Sequence, residues 1–336
     1  MLSTILTAVT AILVFLLVII IHEFGHFAVA KLVGIRVNEF AIGMGPKLLD
    51  KKGPETQYTL RAFPIGGYVA MEGEEESSSD PRSFGKASVA KRIAVVVAGA
   101  MMNFLLAIVV LFLVGLYLGE PTTTIASFTE NAPAQKAGME LGDDILQVDG
   151  VQTPTWEDVI VAIRSAEKES ISVQVQRADE VVELEIPLDE NGQIGIIRGT
   201  HRSLGGAIRY SMSTFFMLLA QLIGFFQTLL RGGVGLSDVS GPVGIVVVIG
   251  QAASAGLFNV LLLLAFININ VGFFNLLPIP ALDGSKILLL LLEKLRGKPI
   301  SVEKESMINL IGFIFLIGLL ILVTFKDIMT LGSIGG

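Results

Sequence analysis

An apolar run from Ile5 to Ile21 resumes at Phe27-Ala28-Val29-Ala30 after one polar interruption, His22-Glu23-Phe24-Gly25-His26. Roughly 20 apolar residues, rising about 1.5 Å each, cross the hydrocarbon of a bilayer. Backbone amides in lipid must pair within the segment itself, so residues 1–33 predict a spanning helix. Three ionisable side chains inside that helix are costly, at roughly 2.5–3.5 kcal/mol for one charge near the centre. A sequence that keeps them there must offset that cost, and the interruption is the first candidate for function.

Three more runs share this character. Residues 92–119 hold a second span, entered through Lys91-Arg92. Residues 257–284 hold a third, and 306–336 a fourth, centred on Met307–Phe325 between Lys304 and Lys326. The whole chain is 52% hydrophobic and 16% charged, with mean hydropathy +0.71. Soluble domains run to about 25% charged residues, so composition also points to a membrane protein. The net charge of −7 without a basic tract gives no footing for a nucleic-acid partner. With no cysteine in the chain, a disulfide framework and a thiolate metal site are both excluded. Met1-Leu2-Ser3-Thr4 lacks the basic start of a signal peptide, so the first helix is expected to be retained.

Between the spans the character changes. Residues 34–91 combine alternating stretches (Ile35-Val37, Tyr58-Leu60-Ala62) and Gly-Pro turns with an acidic, Ser-rich linker, Glu72–Asp80, expected to be exposed and mobile. Residues 121–200 carry frequent charges, Trp156 and alternating Ile171-Val173-Val175 and Val182-Leu184-Ile186, which predict a small inserted domain. Residues 201–256 include an apolar stretch, Ala207–Leu230, with Arg209, Gln221, Gln227 and Arg231. This stretch predicts an amphipathic helix lying at the interface, followed by a connecting loop. Residues 285–305 read as a loop.

His22 and His26 stand four apart, so on a helix both imidazoles lie on one face, about one turn apart, and both reach one metal ion. Glu23 sits beside the first of them, where it can take a proton from a water and return it to a leaving amine. A catalytic zinc wants a third protein ligand. Asp283 is the acid at the end of another span, in Asn275-Leu276-Leu277-Pro278-Ile279-Pro280-Ala281-Leu282-Asp283-Gly284, whose prolines must break the helix. His201, the remaining histidine, has no paired ligand in sequence and reads as a loop residue. For His22 and Asp283 to meet, the first and third spans must cross in the same direction. Four spans satisfy this, and a fifth at Ala207–Leu230 does not. Residues 31–92 carry ten Lys/Arg and residues 284–305 five. This places both on the cytoplasmic side and the inserted domain with both termini outside.

These residues resemble the site-2 protease family, of the bacterial regulator-of-sigma-E protease type. The resemblance runs over nearly the whole chain. It includes HEFGH at 22–26, Phe63-Pro64-Ile65-Gly66-Gly67-Tyr68-Val69, Ala98-Gly99-Ala100-Met101-Met102-Asn103-Phe104, Ser240-Gly241-Pro242-Val243-Gly244-Ile245 and the Asn275–Gly284 segment. It implies a bacterial inner-membrane, multi-pass zinc metalloendopeptidase. One Zn²⁺ would be held by His22, His26 and Asp283, with Glu23 as general base, and Asn275 and Asn103 would contact substrate. Ala100 departs from the proline usual there, which puts a role for the Gly99–Asn103 turn in doubt. Ala134–Gly150 resembles the signature of bacterial protease PDZ domains. That likeness implies one such domain, with Thr124, Ile125, Ala126, Ser127 and Phe128 as an edge that receives a peptide strand, or a spacer that only gates access sterically.

The fold expected is a polytopic α-helical membrane protein with four transmembrane helices. A β-rich, membrane-associated segment lies on the cytoplasmic side, and one PDZ domain is inserted outside. The substrate expected is a single-pass membrane protein, such as an anti-sigma factor already cut outside, unwound and paired to a strand edge in 34–70. Two other classes compete. An inactive PDZ scaffold in the bilayer has no use for Glu23 between paired histidines. A metal transporter would spread polar groups along several spans, whereas here they converge.

Overall fold

With no water in the bilayer to bind them, backbone amides of an apolar run pair within the run, and each long run closes into a helix. The computed structural model describes residues 2–74, 76, 78–166, 168–233, 235 and 240–334. Helix α1 (Leu2–Leu32) leads into two long strands, β1 (Val37–Lys52) and β2 (Gln57–Met71), then α2 (Val89–Leu118). Next come β3 (Glu120–Phe128), α3 (Pro133–Lys136), β4 (Asp144–Val148), β5 (Val151–Gln152), α4 (Trp156–Arg164), β6 (Ser170–Arg177), β7 (Glu180–Pro187) and β8 (Ile196–His201). The chain ends with α5 (Leu204–Leu230), α6 (Pro242–Ala255), α7 (Leu257–Leu276), α8 (Asp283–Arg296) and α9 (Val302–Ile334). It divides into two compact units, residues 1–111 with 212–336, and residues 112–211.

In the larger unit, Ala11, Val14 and Val18 of α1 meet Ala107, Val110 and Leu111 of α2. Phe215 and Leu222 of α5, Ile249 of α6, and Leu264, Ala265 and Ile269 of α7 complete that core. Lipid tails are as apolar as leucine, so close backbone approach at small residues, rather than hydrophobic drive, joins such helices. Gly25 of α1 lies against the Ala98 carbonyl of α2, and Gly272 of α7 against the Ala100 carbonyl. A second core, around Ala30, Val37, Met71, Phe84, Val95 and Leu290, joins the end of α1 to the strands, the start of α2 and α8.

Strands β1 and β2 fold back on themselves. Residues 37–42 pair with both 67–71 and 57–60, and 57–60 pair also with 49–52. Positive φ at Gly43, Gly45 and Gly66 makes the reversals.

Three expectations change. Among the described residues five helices are long and apolar enough to cross a bilayer, where four such runs were expected, and α5 is the addition. Arg209 lies in the second turn of α5 and Arg231 just beyond its end, which leaves residues 210–230 uncharged. The connecting loop expected after it contains the short apolar helix α6. Secondly, 285–305 is not simply a loop, because α8 occupies it to Arg296, closed by Gly297 in the left-handed region. Thirdly, the acidic linker, expected to be mobile, is tied down at Glu72, Glu74 and Asp80. Asn38 donates to Glu72 (2.7 Å), Arg36 to Asp80 (3.1 Å), and Lys286 pairs with Glu74.

The smaller unit is a β7-β6-β4-β3-β8 sheet with β5 beside β4. The alternation read at 171–175 puts Ile171, Val173 and Val175 into a core with Trp156 and Val159. Thr155 and Asp158 cap α4 reciprocally. Thr124–Phe128, expected as a receiving edge, is not an edge. It lies on β3, paired with β4 at Thr124↔Asp144 and with β8 at Ile125↔Arg198, Ser127↔Ile197 and Phe128↔Ile196. Strand β8, whose sequence Ile196-Ile197-Arg198-Gly199-Thr200-His201 does not alternate, takes the outer place and carries His201, exposed at its end.

Candidate active site

Helical spacing on α1 puts His22 and His26 side by side, with ring centroids 4.8 Å apart. Residues 99–103, expected as a turn, are a continuous stretch of α2, and Gly99 presents bare backbone to the pair. A Cβ there would overlap His26 Nε2 and lie 2.8 Å from His22 Cε1, so only glycine admits this packing. His26 Nδ1–H donates to the Val95 carbonyl at 2.9 Å, which leaves Nε2 as the free lone pair.

Behind His22, the Asn103 side chain is fully buried, with Nδ2 3.2 Å from His22 Nδ1 and Oδ1 without a partner. The two ends of an amide are nearly alike in size, so its sense follows from the hydrogen bonds each sense can make. Each sense makes one bond, and with the amide turned over Asn103 Oδ1 accepts from His22 Nδ1–H, the sense that frees His22 Nε2 for a metal. Both imidazoles are then held by α2 with Nε2 pointing the same way.

The third group arrives from a break in the chain. Pro278 and Pro280 have no N–H to continue α7, which ends at Leu276 with Leu277 extended. Ala281 turns through φ 72°, and a new helix, α8, starts at Asp283. Asp283 is thus the first residue of the following helix, where sequence reading placed it at the end of a broken third span. A Cβ on Gly284 would overlap the Leu277 carbonyl oxygen, so the reversal is tight. Asp283 Oδ2 stands 3.1 Å from His22 Nε2 and 3.3 Å from His26 Nε2, and the two Nε2 atoms are 3.2 Å apart.

Three lone-pair atoms facing one another repel unless a cation lies between them. Asp283 Oδ2 is buried and, among the described residues, has no hydrogen-bond partner. In a tetrahedral zinc site with bonds of about 2.0–2.1 Å, ligand atoms are separated by about 3.3–3.4 Å. The three observed separations fit that spacing, and an N₂O donor set with no thiolate is one that catalytic zinc uses. Among the described residues these three form the one group of His, Asp or Glu gathered closely enough to hold a metal.

Glu23, next to His22, packs on the sheet. A Cβ on Gly67 would be 3.2 Å from Glu23 Cγ and 2.9 Å from the Ala41 carbonyl oxygen. The Glu23 side chain therefore runs beside strand residues 67–71, which among the described residues pair on one side only, with 37–42. Asn275 is not drawn to the group: its amide donates to Val271 of its own helix at 3.0 Å. Sequence reading missed the Val95 carbonyl, the contact at Gly99 and a doubly bonded Arg92–Glu293 pair that ties α2 to α8. Only the glycine leaves a local trace, and nothing adjacent to it names its neighbour.

Residues 10–319 match the profile of Peptidase family M50. A provisionally named zinc metalloprotease of Clostridium acetobutylicum is 40% identical over 329 residues, covering 96% of this chain and 97% of that one. The zinc metalloprotease RasP of Shouchella clausii is 31% identical over 416 aligned positions, covering 97% and 100%. The regulator of sigma-W protease RasP of Bacillus subtilis is 30% identical, covering 97% and 99%. Among solved structures, the PDZ domain of an SdrC-like protein from Listeria innocua is 26% identical with TM-score 0.21, covering 24% of this chain and 99% of that one.

Proposed function

The chain belongs to peptidase family M50, and from that premise we propose that His22, His26 and Asp283 hold its one catalytic zinc ion, with Glu23 as general base. The protein is a zinc metalloprotease, and its long apolar helices make it a multi-pass membrane protein. The convergence of His22 Nε2, His26 Nε2 and the otherwise unpartnered Asp283 Oδ2 carries the ligand assignment. When bound, zinc supplies Lewis acidity toward the scissile carbonyl and a nucleophile at neutral pH.

This chain's residues do the rest. Glu23 accepts a proton from the attacking water and passes it to the leaving amine nitrogen. Val95 and Asn103 hold the two imidazoles in the tautomer that leaves Nε2 free, which gives Asn103 an orienting role rather than contact with substrate. Asn275, carried over from the family resemblance, would donate to the carbonyl oxygen after leaving its bond to Val271. A helical substrate hides its carbonyls, so it must unwind before attack, and the unpaired side of 67–71, beside Glu23, offers main-chain partners. Substrates with N-methylated backbone near the scissile bond test this, since undiminished cleavage would exclude strand pairing.

The substrate we propose is a single-pass membrane protein such as a pre-cleaved anti-sigma factor. The Bacillus subtilis relative is named as a regulator of sigma-W protease, which is in keeping with this choice. Helices α1, α2, α7 and α9 cross the bilayer, while α5 and α6 make no net crossing. The strand-rich segment then faces the cytoplasm, and residues 121–200, a PDZ-type domain, lie outside with both termini. Strand β8 replaces 124–128 as the edge open to a peptide, and steric gating is the other role for that domain. Because the chain has no cysteine, single cysteines at Lys52 and Glu190 can be labelled from one side of sealed vesicles. Labelling of both from the same side would overturn the topology.

The ligand set is tested by metal content. Asp283→Ala is expected to purify with less than about a tenth of the wild-type zinc, and a chelator should abolish cleavage of a transmembrane substrate until zinc is returned. Full zinc occupancy in Asp283→Ala would remove Asp283 from the set.

A further inference from the structure

We propose that α9 braces the loop bearing Asp283, with Asn309 and Gly312 as positioning residues that set the third ligand. This inference rests on the ligand set proposed above and extends it to a helix that supplies no ligand.

The loop between α7 and α8 has little to hold it by itself. Pro278 and Pro280 donate no hydrogen bond. The Ile279 and Leu282 amides are spent inside the loop, on the carbonyls of Leu277 and Ile279. Ala281 is held at φ 72°, a conformation that L side chains rarely adopt, so something outside must fix it. Among the described residues, the amide of Ala281 is the loop amide that reaches another element: it donates to Asn309 Oδ1 of α9 at 3.3 Å.

One helical turn further along, Gly312 receives the loop itself. A Cβ at Gly312 would overlap Pro280 Cβ and lie 2.5 Å from both its carbonyl carbon and oxygen. Asn309 and Gly312 are three residues apart, so they share a face of α9. That face fixes Pro280 and Ala281, only two residues ahead of the ligand. A shift of the loop there would carry Asp283 Oδ2 away from two nitrogens that lie 3.1 and 3.3 Å from it. Further along the same face toward the start of α9, Glu305 lies 3.9 Å from Lys286 of α8, so α9 also touches the helix that Asp283 begins.

The contrast with Gly318 makes the inference testable. It lies on the same helix, and a Cβ there would meet nothing within 4 Å. Full-length protein is purified in detergent as wild type, Gly312→Ala, Gly312→Leu, Asn309→Leu, Asn309→Asp and Gly318→Leu. Zinc retained per chain is measured against a competing chelator, with helix content followed by circular dichroism. Gly312→Leu and Asn309→Leu are expected to hold zinc about 10–100-fold more weakly, the range seen when residues orienting a ligand are removed. Gly312→Ala should lose less than Gly312→Leu. Asn309→Asp, which keeps the acceptor oxygen, should restore most of the loss, and Gly318→Leu should match wild type.

If wild type holds zinc and the Gly312 and Asn309 variants match it within about twofold, α9 does not set the ligand. The same conclusion follows if Gly318→Leu loses as much zinc as Gly312→Leu, or if Asn309→Asp fares no better than Asn309→Leu. Should wild type itself retain no zinc, the ligand set fails and takes this inference with it.

Discussion

Glu23→Gln is expected to bind zinc as fully as wild type and to cleave a transmembrane substrate about 10²–10⁴-fold more slowly, the usual contribution of a positioned general base. The amide is nearly isosteric, so the packing of Glu23 against Gly67 survives. None of the three converging ligand atoms belongs to Glu23, so metal content has no reason to change. What the substitution removes is the ability to accept a proton. The loss should appear in kcat with KM little altered, because Glu23 acts in the transition state and not in holding the substrate helix. Zinc content and single-turnover cleavage on one preparation decide the matter. A zinc-loaded Glu23→Gln enzyme that cleaves at the wild-type rate would assign proton transfer to another group.

The second large effect is expected at a residue without a side chain. Replacing glycine by alanine inside a helix ordinarily gains up to about 1 kcal/mol from propensity. At Gly99 the added Cβ would overlap His26 Nε2 and stand 2.6 Å from its Cε1. Either the imidazole rotates off its bond to the Val95 carbonyl or α2 withdraws from α1. Overpacking of this kind costs about 1–3 kcal/mol and exceeds the propensity gain. Gly99→Ala should therefore bind zinc at least about tenfold more weakly, and Gly99→Val should lose metal and activity together. Gly224→Ala on α5, where a Cβ meets nothing within 4 Å, serves as the matched change and should leave zinc alone. Equal zinc affinity in Gly99→Ala and wild type would show that the helices yield more readily than their packing implies.

The Gly99 contact also marks where sequence reading stops. Ala100 stands where proline is usual, yet residues 99–103 are a regular stretch of α2, with Ala100 fully buried. Their importance lies in what faces them from another helix. No residue near Gly99 in the chain indicates that two histidines on α1 will lie against it.

The inserted unit gives a parallel case. Alternation at 171–175 predicted a buried face, and Ile171, Val173 and Val175 form one, because a strand's period of two is written in consecutive residues. Which strands lie at the sheet's rim is not local. Residues 196–201 carry no alternation, and their pairing with β3 moved the open edge away from 124–128.

Span length, the shared face of His22 and His26, and the break at Pro278 and Pro280 were all determined by sequence alone. Each follows from helix rise, helix period or a missing N–H within a few residues. Asp283 was reachable too, because a donor set without cysteine and with one stray histidine leaves few acids near a span end. Tertiary structure decided that α5 is followed by the short apolar helix α6, that Asp283 opens α8 and does not close α7, that Gly99 and Asn103 of α2 face the two histidines, and that Asn309 and Gly312 of α9 meet the loop ahead of Asp283. Those facts depend on contacts between residues far apart in the chain, and close approach of helices in lipid is set by shape at the point of contact, which no local pattern records.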